Sequence, residues 1–299
     1  MGDSALSFAK IALPPERPGK TAPADILAAR AGMTRAAACG REGAPVPVEE
    51  RLQGVRVLRF RPPGAVTATV LHLHGGGFRL GCPEYVARFA AALAERCKIE
   101  VVCPAYRLAP EHPYPAALND ARAVLRVLAA AAAAPLILCG DSAGGGLAAG
   151  LALLATAEDI AVAGLVLLSA WLDLTVTAAS YSLNAATDPL FSGESARSAA
   201  ELYLQGESAR DPLASPLFAP VRGFPPTFIS VGSGEVLADD SSGFHAALRA
   251  AAVPSELMVV AGMNHIAVVR DASAPGAAET FAAVGRFIDQ RVKRPPRRP

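Results

Sequence analysis

The chain is short of aromatic residues, of net charge and of paired cysteines, and each shortage removes a class of function. Phe, Trp and Tyr make up 6% of residues against 52% hydrophobic overall. A core must therefore be built from alanine and aliphatic side chains, and there are enough of them to exclude a disordered chain. The formal net charge is only +1, which leaves no global field for nucleic acid or an acidic membrane surface. The basic tail Arg291–Pro299 is short, terminal and broken by proline, and reads as a solvated end. No run reaches the roughly 18 uninterrupted apolar residues of a membrane span, and the first residues lack a basic region followed by an apolar one. The expectation is a cytoplasmic protein without stable membrane insertion. Cysteines 39, 82, 97, 103 and 139 are odd in number and lack CxxC spacing, which fits free thiols in a reducing compartment. No His/Cys/Asp cluster has metal-ligand spacing, and neither a Walker motif nor a dinucleotide fingerprint occurs, so no metal and no cofactor are implied.

What is present is glycine in two telling places. His74-Gly75-Gly76-Gly77-Phe78 and Gly140-Asp141-Ser142-Ala143-Gly144-Gly145 each follow an apolar run that breaks into glycines, the signature of a strand end opening into a loop or helix. Gly-x-Ser-x-Gly is the pattern of a strained strand-to-helix turn that lifts a serine hydroxyl above a sheet edge. A glycine triplet leaves backbone N–H groups unobstructed, able to point at an oxygen that becomes negative during acyl transfer.

Along the chain, Val55–Phe60 and Val66–Leu73 read as strands running antiparallel through a Pro62-Pro63-Gly64 turn. Helix Glu84–Arg96, strand Ile99–Pro104, helix Ala116–Ala134, strand Leu136–Cys139 and helix Ala143–Ala157 follow. Strands Leu165–Ser169, Thr227–Val231 and Leu257–Val260 continue the series, with helices at Ser241–Ala252 and Ala277–Val292. This alternation implies one α/β domain over residues 1–299, with a mostly parallel central sheet, right-handed crossovers and flanking helices. Two segments break the pattern. Residues 1–45, with prolines at 14, 15, 18, 23 and 45, read as short irregular helices, and residues 175–220 as a polar insertion with one helix near Ser195–Leu204. Together they are expected to form a small helical cap over the strand ends.

A serine at neutral pH needs an adjacent base, itself held by an acid. Of the five histidines, His265 alone follows the last strand at the sheet edge expected for Ser142, in the chain order serine, acid, histidine. The acid should follow the strand Thr227–Val231, where Glu235 is nearest. Asp239 is the alternative, although it and Asp240 are placed to cap the next helix.

With these stretches and Tyr106–Ala116, Trp171–Thr175 and Glu235–Asp240 in order, the chain resembles bacterial esterases of the hormone-sensitive-lipase-like family of α/β-hydrolases. The resemblance spans about residues 66–270. It implies a serine carboxylesterase for short-to-medium acyl esters, with Ser142 as nucleophile, His265 as base, Glu235 as acid and an oxyanion hole from the N–H groups of Gly75, Gly76 and Ala143. Phe78, Trp171 and Asp141 are candidates for the substrate pocket, Trp171 being equally suited to core packing and Asp141 to a supporting hydrogen bond beside Ser142 rather than to the role of a second base. His74 and the group Arg107, Glu111, His112 and Asp120 are expected to brace the glycine loop. The chain departs from the family at the acid, usually aspartate, and lacks the aromatic often found two places after the histidine. A deacetylase or amide hydrolase for one small metabolite is the alternative activity, and a non-catalytic ligand receptor on the same fold the alternative class. The partner expected is a small-molecule ester. A homodimer through an edge strand or the alanine-rich helices is compatible with the sequence, but no residue marks an interface.

Overall fold

Apolar runs with little alternation suit strands covered on both faces, and eight such strands form one sheet in the computed structural model, which describes residues 11–39, 46–131 and 134–293. In chain order the strands are β1 (Val48–Leu52), β2 (Val55–Phe60), β3 (Thr69–Leu73), β4 (Glu100–Pro104), β5 (Leu136–Asp141), β6 (Gly164–Leu168), β7 (Thr227–Gly232) and β8 (Ser255–Val260). Their spatial order is β1-β2-β4-β3-β5-β6-β7-β8. β1 with β2 and β2 with β4 pair antiparallel, and every later pair is parallel. β2 and β3 do run in opposite directions, but β4 lies between them. β1 had no sequence signal, because Val48-Glu49-Glu50-Arg51-Leu52 is a charged, largely exposed edge strand that pairs on one side only.

Successive residues of a strand face opposite sides of the sheet, and the core divides accordingly. Leu165 and Leu167 of β6 join the cluster under α3 (Ala116–Ala130), α4 (Ala143–Ala157) and α7 (Ala238–Ala250). Val166 and Leu168 join the opposite cluster under α2 (Ala87–Cys97) and α9 (Ala277–Lys293). α4 is buried from Ala143 through Ala155, which its small residues permit. A Cβ on Gly144 would lie 2.1 Å from the Leu73 carbonyl oxygen, so only glycine lets the helix start this close to β3. Central α4 thereby sets the position of Ser142 relative to the glycine loop.

The N-terminal segment is one helix, α1 (Ala24–Cys39), preceded by extended chain, rather than several short helices. Its prolines at 14, 15, 18 and 23 all precede the helix, where their fixed φ and missing N–H do no harm. Arg30 holds α1 to the body through Glu111 (2.6 and 2.8 Å) and the carbonyls of Arg79 and Ala109. Residues 1–10 and 40–45 of that segment, and the end of the basic tail beyond 293, lie outside the described residues. Between β6 and β7 the chain forms α5 (Ser180–Leu183) and α6 (Gly193–Leu204), and α8 (Ala267–Arg270) follows β8. Among the described residues no helix is long and apolar enough to cross a membrane.

Candidate active site

Strand ends bring the chemistry to one edge. Ser142 sits between β5 and α4 with φ 53° and ψ −124°, a sparsely populated conformation for a non-glycine residue. Its carbonyl accepts from Trp171 N–H and its own N–H donates to Leu168, which fixes the turn. His265 Nε2 lies 2.9 Å from Ser142 Oγ, and His265 Nδ1 lies 2.7 Å from Glu235 Oε2. A carboxylate can only accept, so Nδ1 carries the imidazole proton and Nε2 is left to accept the serine proton.

Glu235 is positioned by more than its histidine. Its Oε1 accepts from Gly232 N–H at 2.6 Å and from the Ser169 hydroxyl at 2.8 Å. Ser169 in turn accepts from Ile266 N–H, which ties the loops after β6, β7 and β8 together. This aim accommodates the extra methylene of glutamate: both oxygens have fixed partners. Asp239 and Asp240 are turned elsewhere. Asp239 accepts from Ser180 N–H, and Asp240 Oδ2 accepts from Leu172 and Asp173 N–H. Neither caps α7, whose start has no side-chain cap, so the capping role expected of them is replaced by holding the chain after β6. Burial pushes the Asp240 carboxyl up to about 7 despite those two backbone donors.

Burial pushes the His265 imidazole down, but the Glu235 hydrogen bond and the charges of Glu235, Asp188 and Asp141 together outweigh it, leaving the group above its ordinary value. Asp188 is the neighbour that sequence reasoning missed. Its Oδ1 accepts from Leu190 and Phe191 N–H and its Oδ2 from Val236 N–H, so it fastens the segment before α6 to the acid loop. Asp188, Glu235 and His265 bring potential metal-ligating atoms within 4.8 Å of one another. All of those atoms already have hydrogen-bond partners, and the group does not fit a metal without breaking the serine–histidine–glutamate chain.

The glycine loop requires one correction. Gly75 N–H donates to Asp141 Oδ2 at 3.0 Å and is not available to a substrate oxygen. Asp141 is itself held by His72 Nε2 at 3.0 Å, and the other ring nitrogen accepts from the Cys139 thiol. Gly76 and Gly77 instead line a cavity of about 240 Å³ together with Ser142 and His265. The N–H groups of Gly76, Gly77 and Ala143 have no acceptor among the described residues, the last because it opens a helix. His74 lies behind this loop, with Tyr106 stacked on its ring at 4.2 Å, and burial pushes its imidazole down to about 4. Arg107 pairs with Asp120 and Glu16, Glu111 pairs with Arg30, and His112 is exposed to solvent.

The pocket expectation also changes. Phe78, Trp171 and Asp141 are fully buried and do not line the cavity. Phe78 stacks on Tyr203 at 3.9 Å, and Trp171 Nε1–H donates to the Asp173 carbonyl. The walls come from Tyr85, Leu190, Phe191 and Ile266. Phe191 stacks nearly parallel on His265, with ring centroids 5.6 Å apart, and so supplies from residues 175–220 an aromatic neighbour that the sequence after His265 lacks.

Known proteins are similar to this chain along most of its length. A family profile described as the alpha/beta hydrolase fold matches residues 70–269. An esterase of Acinetobacter venetianus is 35% identical over 241 residues, 79% of this chain and 80% of that protein. An acetyl-hydrolase of Streptomyces hygroscopicus is 40% identical over 197 residues, 65% of this chain and 66% of its own length. A crystal structure of an esterase from the bacterial hormone-sensitive lipase family superposes with a TM-score of 0.80 at 30% identity, over 91% of this chain and 100% of that one.

Proposed function

The chain belongs to the alpha/beta hydrolase fold family, as a carboxylic ester hydrolase of the hormone-sensitive-lipase-like kind, and from that premise we propose that it cleaves short-to-medium acyl esters through an acyl-enzyme on Ser142. The observation that carries the reading is the unbroken chain from Ser142 Oγ to His265 (2.9 Å) to Glu235 (2.7 Å), of which Ser142 and His265 line one cavity. His265 Nε2 takes the serine proton as Oγ attacks the ester carbonyl. The N–H groups of Gly76, Gly77 and Ala143 receive the oxyanion, each donor contributing about 3 kcal/mol of transition-state stabilisation. His265 then gives its proton to the departing alcohol, and water repeats the cycle on the acyl group. Glu235 keeps the imidazole in the required tautomer and stabilises it when charged.

Residues 11–39 and 175–220 act as the cap in this reading, Leu190 and Phe191 closing the acyl side. A cavity of about 240 Å³, below the usual range of roughly 300–1,000 Å³ for drug-sized ligands, favours short acyl groups. The similarity to an acetyl-hydrolase points the same way. The thiols of Cys82, Cys97, Cys103 and Cys139 are free, consistent with a cytoplasmic setting. Hydrolysis of activated esters of two to sixteen acyl carbons by wild type and Ser142→Ala, in parallel, tests the proposal. Turnover highest at the short end and absent in the variant is expected. A flat profile, or turnover in Ser142→Ala, is incompatible with it.

A further inference from the structure

The cavity beside Ser142 is lined by two arginines, Arg79 and Arg270, and by no aspartate or glutamate. Arg79 follows the glycine loop directly and is half-buried. Its Nη1 and Nη2 donate only to neutral oxygens, the hydroxyls of Ser198 (3.2 Å) and Ser195 (3.0 Å) and the Ser195 carbonyl, and its Nε has no acceptor among the described residues. Arg270 ends α8, five residues after His265, is exposed to solvent and acts electrostatically on the Tyr85 phenol. Asp25 and Asp271 act on these cations through space, and among the described residues neither comes within ion-pair distance. The acidic groups near His265, Glu235 and Asp188, are held by their own backbone and side-chain donors and do not line the cavity.

A half-buried guanidinium without a counter-ion, as Arg79 is, is costly, and carboxylate is the group its planar fork matches best. Other arginines of the molecule show the usual solution: Arg30, Arg56, Arg59 and Arg107 are each paired with a carboxylate. We propose that the substrates of this enzyme are esters bearing a second, ionised carboxylate, which Arg79 and Arg270 receive while Ser142 attacks the ester carbonyl. This rests on the esterase reading above and adds its substrate class.

Two isosteric pairs test it. On the acyl side, 4-nitrophenyl hydrogen succinate is compared with 4-nitrophenyl 4-methylpentanoate, and on the alcohol side acetoxyacetate with isobutyl acetate. The readout is the ratio of kcat/KM for the anionic to the neutral ester, in wild type, Arg79→Gln, Arg270→Gln and the double variant. Intrinsic reactivity of each ester cancels between wild type and variant, and partial unfolding lowers both rates alike. In at least one pair the ratio should fall about tenfold in the double variant, the loss of roughly one charge-assisted contact. In wild type the same ratio should fall as salt is raised from about 0.01 M to 1 M. A ratio that stays within about twofold of wild type in both pairs overturns the proposal and leaves the esterase reading standing. Failure of the wild type on the neutral esters as well would instead remove the esterase reading, and the proposal with it.

Discussion

Replacing Glu235 with glutamine changes one oxygen to an amide nitrogen, and the structure determines which way the amide must face. Oε1 of Glu235 sits 2.6 Å from Gly232 N–H, a donor with no freedom to turn away, so the glutamine oxygen has to remain there. The amide nitrogen is then forced onto the position of Oε2, 2.7 Å from His265 Nδ1. An N–H facing Nδ1 requires that nitrogen to accept, which moves the imidazole proton to Nε2. The ring then presents a donor to Ser142 Oγ at 2.9 Å, where a base is needed. Loss of the working tautomer in a serine–histidine–acid system costs about 10⁴-fold in kcat, or roughly 5 kcal/mol. Asp239→Asn, whose carboxylate serves Ser180 N–H instead, should lose far less. The assay is kcat/KM on a short-chain 4-nitrophenyl ester, with far-UV circular dichroism to verify folding of each variant. Glu235→Gln retaining activity within about tenfold of wild type, or Asp239→Asn falling as far, would refute this assignment of the acid.

Three further outcomes follow from the same geometry. Because its surroundings hold the His265 imidazolium above the ordinary value near 6.5, the base is charged and inactive until higher pH. The acidic limb of kcat/KM against pH should have its midpoint above 6.5, and a midpoint at or below that value would contradict the account. Burial raises Asp240 from 3.8 to about 7, so the folded state binds this proton more tightly than the unfolded chain; the associated stability is complete below about pH 4 and is lost as pH rises through 7. Wild type should therefore lose about 2–3 kcal/mol relative to Asp240→Asn between pH 5 and pH 8 in urea unfolding, and an unchanged difference would count against it. Phe191→Ala removes a cavity wall and the ring stacked on His265; the preferred acyl chain should lengthen while kcat on acetate esters falls, and an unshifted preference would show that Phe191 does not bound the acyl site.

Residue types at strand ends made the proposed nucleophile, base and acid legible as candidates, because each lies within a few residues of a strand whose apolar run is plain: Ser142 after β5, Glu235 after β7 and His265 after β8. Helix α4 was equally plain, with bounds at Ala143 and Ala157 as expected, since alanine, leucine and glycine can form a helix buried on every side. What escaped notice depends on which partner a polar group meets across the fold. The glycine triplet offers three N–H groups, and only the placement of Asp141 against Gly75 shows which one is spent on the loop itself. Ser169 and Asp188 anchor the acid loop from positions that no spacing rule connects to Glu235. Phe191 lies in a segment without periodicity, so its stacking on the base was invisible, whereas the aromatic character of Phe78 and Trp171 suggested a pocket although both are core. Strand β1 was missed because charge dominates a strand that needs to bury only one edge.

The most direct test of the central claim is to trap the acyl-enzyme. A stopped reaction with a slowly deacylating ester, digested and mapped by mass spectrometry, should place one acyl group on the peptide containing Ser142, with none on Ser142→Ala. Continued ester turnover with the acyl group on another residue, or with neither a burst of alcohol release nor a covalent adduct from an activated ester, would contradict the account.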